Sequence, residues 1–153
     1  MPSTPELKTI KPITFLFHRV ETNMADLINH VPVSKQLYRE ALDRNLMIGG
    51  PIHWHYINFE GPEKPFILEV ALPVDKSIED YDGPYHFKRT EEYNCACLTH
   101  EGKWDDLPKS YDKLVEFLNR QGKTPLTTAR EIYVQADFNN QEANVTEIQL
   151  GVQ

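Results

Sequence analysis

Residues 67–74 read ILEVALPV, and residues 145–152 read VTEIQLGV. A second pair of similar segments, LYREALDRN at 37–45 and LVEFLNRQG at 114–122, recurs at nearly the same separation along the chain. Two different segments that repeat at one spacing indicate an internal duplication, and with only two copies the chain differs from a solenoid. We therefore predict that the chain consists of two related units.

The elements around these segments follow the same order in both halves. β-Branched and aromatic residues predict strands, and apolar residues at helical spacing predict helices, with Ser34 capping the first helix and Gly122 ending the second. In the first half, strands are predicted at 11–20, 52–58 and 66–74 and a helix at 33–46. In the second half, strands are predicted at 92–100, 127–135 and 144–152 and a helix at 104–121. The polar stretch between the halves, 75–84, is predicted to be a linker.

The predicted fold class is α+β, a tandem duplication of a β-α-β-β unit. Because one unit alone would leave sheet edges open, we expect the two units to share one mostly antiparallel sheet. Both helices should lie on one face of this sheet, with a ligand cup between the units. We predict a single domain over residues 1–153, with repeat one at about 11–74 and repeat two at about 91–152. The first ten residues are expected to be disordered.

Composition disfavours several classes of function. The net charge of −7 disfavours binding to nucleic acid or to an anionic membrane, and no apolar run approaches the roughly 20 residues of a membrane-spanning helix. Only two cysteines occur, Cys95 and Cys97, so we expect a cytoplasmic protein in which both are small core residues. His53 and His55 share a strand face, but no third ligand follows at a metal-binding spacing. Neither a metal nor another cofactor is predicted.

The second half of the chain carries a family resemblance. A strand is followed by EGKWDDL at 101–107, by YDKLVEFL at 111–118 and by EIY at 131–133. This order resembles the GyrI-like small-molecule-binding domain, also known as the bacterial transcription-activator effector-binding domain, over roughly residues 10–152. The resemblance implies a concave site for drug-like, often cationic, aromatic compounds, with an acidic residue on the strand after the second helix. That position is matched by Glu131. The chain would be a free-standing member, because it has no room for a helix-turn-helix module.

The alternation of side chains along a strand gives Glu131 a physical role as well. Glu131 and Tyr133 share one face of their strand, whereas Ile132 and Val134 share the other and are expected in the core under the helices. A carboxylate among aromatic rings loses hydration, so its pKa should rise and a cationic partner should be favoured. The alternative is that Glu131 is a solvated residue on an exposed strand face.

Four further aromatic residues join the predicted site. Aligning the two copies by their tyrosines adds Trp54 and Tyr56 to the face of Glu131, which we expect to be the face without helices. Trp104 and Tyr111 lie at helical spacing, so we expect both in the core, with part of each lining a wall of the site.

Three functions follow as hypotheses. The first is a free-standing binding protein that senses or sequesters aromatic, including cationic, drug-like compounds, and the sequence leaves open whether the chain is an enzyme. Its predicted ligand-binding residues are Trp54, Tyr56, Trp104, Tyr111, Glu131 and Tyr133. The alternative is a hydrolase that opens reactive cyclopropane-type rings, in which Glu131 acts as general base and Tyr133 orients the substrate. A further alternative is an inhibitor of the gyrase-inhibitor type that binds a protein partner. The resemblance implies both alternatives.

Overall fold

A computed structural model, which describes residues 3–153, contains one eight-stranded sheet and two α-helices. The strands are β1 (Glu6–Ile10), β2 (Thr14–Thr22), β3 (His53–Ile57), β4 (Phe66–Pro73), β5 (His86–Arg89), β6 (Tyr93–Glu101), β7 (Pro125–Gln135) and β8 (Val145–Val152). The helices are α1 (Val31–Asp43) and α2 (Leu107–Arg120), and short 3₁₀ helices span Met24–His30, Trp104–Asp106 and Gln141–Ala143. The sheet order is β1-β6-β8-β7-β3-β4-β2-β5, and every neighbouring pair is antiparallel. The predicted α+β class and the antiparallel sheet are confirmed.

The two halves of the chain meet where β3 pairs with β7. In this pairing Trp54 lies opposite Glu131, and Tyr56 lies opposite Ala129. One strand from each half therefore lies at the centre of a continuous sheet. Pairing these two strands removes two sheet edges that would be open if each half formed its own sheet.

Both helices cover the same face of the sheet. Leu37 of α1 is fully buried in a cluster that includes Tyr56, and Leu114 of α2 is fully buried in a cluster that includes Ala129. Residues directly opposite each other on paired strands point to the same face. Since Tyr56 is opposite Ala129, the predicted placement of both helices on one face is confirmed.

The other face of the sheet is buried as well, although neither helix covers it. Its buried side chains include Phe15, Ala71, His53, His55, Cys95 and Cys97. The two cysteines are thus buried, as predicted, but on the side of the sheet that the helices do not cover. A sheet buried on both sides leaves its central strands with little polar–apolar alternation.

Three details of the predicted elements are wrong. The helix predicted at 33–46 begins at Val31, and Ser34 lies inside it, where its hydroxyl accepts a hydrogen bond from Trp54 Nε1 at 3.3 Å. The helix predicted to start at Trp104 begins with a 3₁₀ turn and becomes α-helical at Leu107. The first ten residues are not all disordered, because β1 pairs along β6; residues 1 and 2 lie outside the described part.

Candidate functional site

Glu131 lies in the middle of β7, on the face that the helices cover. It is only 5% exposed, so the alternative of a solvated glutamate on an exposed strand face is wrong. The predicted assignment of the two faces is also wrong: Trp54, Tyr56, Glu131 and Tyr133 lie under the helices. Ile132 faces the other side of the sheet and is buried there. Both faces of β7 are buried near its centre, so the more apolar face is not necessarily the one beneath the helices.

Three tyrosine hydroxyl groups donate hydrogen bonds to the Glu131 carboxylate. The Tyr111 hydroxyl, from α2, is 2.6 Å from Oε2, and the Tyr133 hydroxyl is 2.6 Å from Oε1. The Tyr56 hydroxyl, from β3, is 3.3 Å from Oε1. We call these four residues the Glu131 cluster. Two strands and one helix contribute to it, so the cluster forms only when the two halves of the chain come together.

Burial and hydrogen bonding act in opposite directions on Glu131. Burial raises the pKa of its carboxyl group above the usual value, because the charged form loses its hydration. Hydrogen bonds from Tyr111, Tyr133 and Tyr56 stabilise the charged form and oppose part of this rise. Burial also raises the pKa of each of these tyrosines well above its usual value, and the neighbouring carboxylate adds to the effect. The tyrosines therefore remain protonated donors.

The Glu131 carboxylate has no cationic partner within the described chain. None of the ion pairs formed by residues 3–153 includes it. A buried carboxylate is normally paired with a cation or bound to a metal. No group of three or more His, Cys, Asp or Glu side chains in the described part is placed to hold a metal ion. The negative charge is thus stabilised chiefly by the three tyrosine hydroxyl groups, with a smaller electrostatic contribution from His100.

Two tryptophans extend the Glu131 cluster with aromatic surface. The Tyr133 ring meets Trp54 edge-on at a centroid distance of 5.8 Å and Trp104 at 6.0 Å. Trp104 also packs edge-on against Phe138 at 4.9 Å, and Phe138 is 54% exposed. Aromatic rings therefore lead from the surface to the carboxylate, through Phe138, Trp104 and Tyr133. The Trp104 Nε1 donor is buried and has no acceptor among residues 3–153.

All six predicted site residues lie together in space. Tyr56, Tyr111 and Tyr133 contact the Glu131 carboxylate, and both tryptophans pack on Tyr133. Sequence reasoning missed Phe138, which lies in the polar turn before β8. The one clue in the sequence is a large apolar side chain that stands alone among polar residues. His53 and His55 lie on the opposite face and take no part in the cluster.

The cluster is closed around the carboxylate. Two surface cavities, of about 240 and 220 Å³, are lined by residues near the ends of β1 and β6 and near the start of β4, and neither is lined by Glu131. Because Glu131 is only 5% exposed and its carboxylate accepts hydrogen bonds from three tyrosine hydroxyl groups, a ligand that contacts the carboxylate must displace at least one of these tyrosines. Tyr111 and Tyr133 are the side chains whose hydroxyl groups hold both carboxylate oxygens at 2.6 Å.

Comparison with known proteins gives one family. The profile of the family described as "GyrI-like small molecule binding domain" matches residues 3–153. No curated protein matches the chain significantly.

Several solved structures share the fold. The C-terminal domain of EcmrR superposes with a TM-score of 0.83 at 22% identity, covering 100% of this chain and 99% of that domain. SAV2435 bound to tetraphenylphosphonium gives 0.66 at 15% identity, with coverage of 97% and 93%. A hydrolase encoded by lin2189 from Listeria innocua gives 0.69 at 14% identity, with coverage of 99% and 93%.

Proposed function

Because this chain belongs to the family of GyrI-like small molecule binding domains, we propose that it binds aromatic cations at the Glu131 cluster. The observation that carries the proposal is a buried carboxylate that lacks a cationic side chain as partner and is surrounded by aromatic rings. A ligand cation would supply the missing charge, and the rings would stack on its apolar groups.

The closed cluster explains how such a site remains stable without ligand. Tyrosine hydroxyl groups bind the ionised carboxylate, so the cost of burying the charge is partly offset. A cation that displaces one tyrosine replaces a neutral donor by a full positive charge at low local dielectric. Since that exchange is favourable only for the ionised carboxylate, binding should strengthen as Glu131 loses its proton.

Tetraphenylphosphonium is a suitable probe, because the structural neighbour SAV2435 was solved with it and because it combines a single charge with four aryl rings. We expect calorimetric titration to show binding to the wild-type protein and an affinity about tenfold or more lower for Glu131→Gln. Glu116→Gln is the matched control, since it removes the same charge from the exposed surface of α2. Triphenylphosphine oxide, which is neutral, should bind the wild-type protein and Glu131→Gln with equal affinity.

Two results would contradict this proposal. Equal affinity of wild type and Glu131→Gln for tetraphenylphosphonium would remove the role of the carboxylate. If the wild-type protein binds neither aryl probe, the closed cluster is purely structural, and a protein-binding inhibitor of the gyrase-inhibitor type becomes the better hypothesis.

A hydrolase is the second candidate function, and the raised pKa of Glu131 favours it. A carboxyl group with such a pKa can act as a general base, and the Tyr133 hydroxyl lies 2.6 Å from it, where it could orient a substrate carbonyl. One structural neighbour is itself described as a hydrolase. In the proposed step, Glu131 takes a proton from water as the oxygen bonds to one cyclopropane carbon. The ring bond between this carbon and the carbon that bears the carbonyl group breaks, and the carbonyl-bearing carbon then takes up the proton.

Mass spectrometry of an activated cyclopropyl ketone incubated with the protein tests this step. We expect a ring-opened product one water heavier, formed at least about a hundredfold more slowly by Glu131→Gln. An unchanged rate in that variant would exclude Glu131 as the base. A complete lack of product with the wild-type protein would contradict the hydrolase while leaving the binding proposal intact.

A further inference from the structure

The sheet face without helices carries a row of polar side chains that the Glu131 cluster does not use. Strand register places its members directly beside one another on β4, β3, β7, β8 and β6. In that order they are Glu69, His55, Arg130, Gln149 and Cys97. All five are buried. Polar groups at such positions need hydrogen-bond partners, because burial without one is costly.

Arg130 is a charged member of this row, and its Nη1 lacks a hydrogen-bond partner in the described part of the chain. Its side chain is buried at 8% exposure, and no acceptor among residues 3–153 lies within hydrogen-bond distance of Nη1. No carboxylate of the described chain forms an ion pair with it. The nearby Glu69 is already bound by Arg19 at 2.6 Å and by Lys88. The Arg130 guanidinium is therefore buried without an ion-paired carboxylate of its own, although the charge of the nearby Glu69 still acts on it.

The neighbouring histidines are neutral and add no charge beside Arg130. His53 Nδ1 and His55 Nε2 are 3.1 Å apart and share one hydrogen bond. Burial, followed by the positive charge of Arg130, lowers the pKa of His53 to about 3, and burial lowers the pKa of His55 well below its usual value. Both rings are therefore neutral at physiological pH.

Tyr93 covers the guanidinium and leaves its edges free. The guanidinium carbon of Arg130 lies 3.9 Å from the centroid of the Tyr93 ring, a stacking distance. Stacking covers the flat face of a guanidinium, while its N–H groups point outward in the plane and suit oxyanions. Gly151 permits this position, since a Cβ there would lie 3.0 Å from the Tyr93 hydroxyl. That hydroxyl makes only long hydrogen bonds, of 3.3 and 3.4 Å, so Tyr93 is held weakly.

Gln149 adds a second unpartnered atom beside Arg130. Its Nε2 donates to Glu147 Oε2 at 2.6 Å, which fixes the orientation of the amide. Its Oε1 is buried and has no donor among residues 3–153. A free donor that carries positive charge and a free acceptor thus come from directly paired positions. A water molecule could bond to both atoms, but it would leave the charge of Arg130 uncompensated.

We propose that this face binds a small oxyanion that also carries a hydroxyl group, as an α-hydroxycarboxylate or hydrogen phosphate does. Its charged oxygen accepts from Arg130 Nη1, and its hydroxyl donates to Gln149 Oε1. The cavity of about 240 Å³ provides the approach, since it is lined by Lys8 and Lys123 and by Cys95, which shares a face with Tyr93. The lining of this cavity includes neither Tyr93 nor Arg130, so a ligand that enters from it would have to displace the Tyr93 ring that stacks on the guanidinium. The site is independent of the Glu131 cluster, which lies on the other side of the sheet.

Titration of the isotope-labelled protein, followed through the Nε–Hε signal of Arg130, tests the proposal. The signal is assigned through its own backbone amide, and the probes are sodium glycolate, phosphate, acetate and chloride at constant ionic strength. We expect saturable shifts with glycolate and phosphate, and about fivefold weaker binding of acetate, which lacks the hydroxyl. The stronger of glycolate and phosphate identifies the class of ligand. No saturable shift with either of them, or the same shift with chloride, would overturn the proposal.

Variants separate the two contacts. Arg130→Lys should lose binding, because an ammonium group reaches less far and lacks the planar fork, whereas Arg120→Lys on the exposed surface of α2 should not. Gln149→Met should reduce the affinity for glycolate to that for acetate. This comparison keeps the proposal testable even if Arg130→Lys does not fold. Equal affinities for glycolate and acetate in the wild-type protein would overturn the role of Gln149 and with it the proposed ligand class.

Discussion

Replacing Glu131 by alanine is expected to lower the free energy of unfolding by about 3 to 5 kcal/mol. The hydroxyl groups of Tyr56, Tyr111 and Tyr133 would lose their shared acceptor, and a cavity would open at the junction of β3, β7 and α2. Urea unfolding at neutral pH, followed by circular dichroism, measures the loss. A cost below about 1 kcal/mol would mean that the tyrosines find other acceptors and that the carboxylate does not organise the cluster.

Glu131→Gln is the control that separates shape from charge. Glutamine keeps an oxygen acceptor and fills the same volume, so we expect it to cost below about 1 kcal/mol at neutral pH. The folded protein raises the pKa of Glu131 above its usual 4.5, so the native state favours the protonated form. The contribution of Glu131 to the free energy of unfolding of the wild-type protein is therefore greatest below its usual pKa. This contribution is lost as the pH rises through the pKa of Glu131 in the folded state. Relative to wild type, Glu131→Gln should gain stability with rising pH, and the opposite trend would contradict the assigned shift.

Strand alternation correctly predicts which residues lie together in the candidate site, but it does not predict on which face of the sheet they lie. Because side chains two apart share a face, Glu131 and Tyr133 had to lie together, as did Trp54 and Tyr56. Alternation does not reveal which face the helices cover. On β7 both faces are buried near Glu131, so the usual guide, that the more apolar face is the core, points to the wrong side.

Long-range contacts explain what else was missed. The segment ELKTI forms β1 with four exposed residues, and pairing with β6, from the other half of the chain, stabilises it. Nothing local distinguishes such an edge strand from a disordered terminus. Tyr111 was predicted as a core residue by its helical spacing, but its contact with Glu131 depends on how α2 lies across the sheet. That geometry is a property of the packed structure.

Phe15→Ala tests whether the face without helices is a second core. Phe15 is fully buried there, and its ring meets the rings of His53 and His55 edge-on at centroid distances of 4.9 and 5.0 Å. We expect urea unfolding to show a loss of about 3 to 5 kcal/mol, as for other buried phenylalanines, because no helix can move in to fill the cavity.

Phe138→Ala is the matched control for Phe15→Ala, since it removes the same side chain from a position that is 54% exposed. It should cost about 1 kcal/mol or less, mainly through its edge contact with Trp104. If Phe15→Ala costs no more than this control, solvent already reaches the face without helices. The face that contains Arg130 would then be weakly packed around Phe15, and the oxyanion site would lose the support of a second core. A large difference between the two variants supports the second core, in which Arg130 is buried without an ion-paired carboxylate of its own.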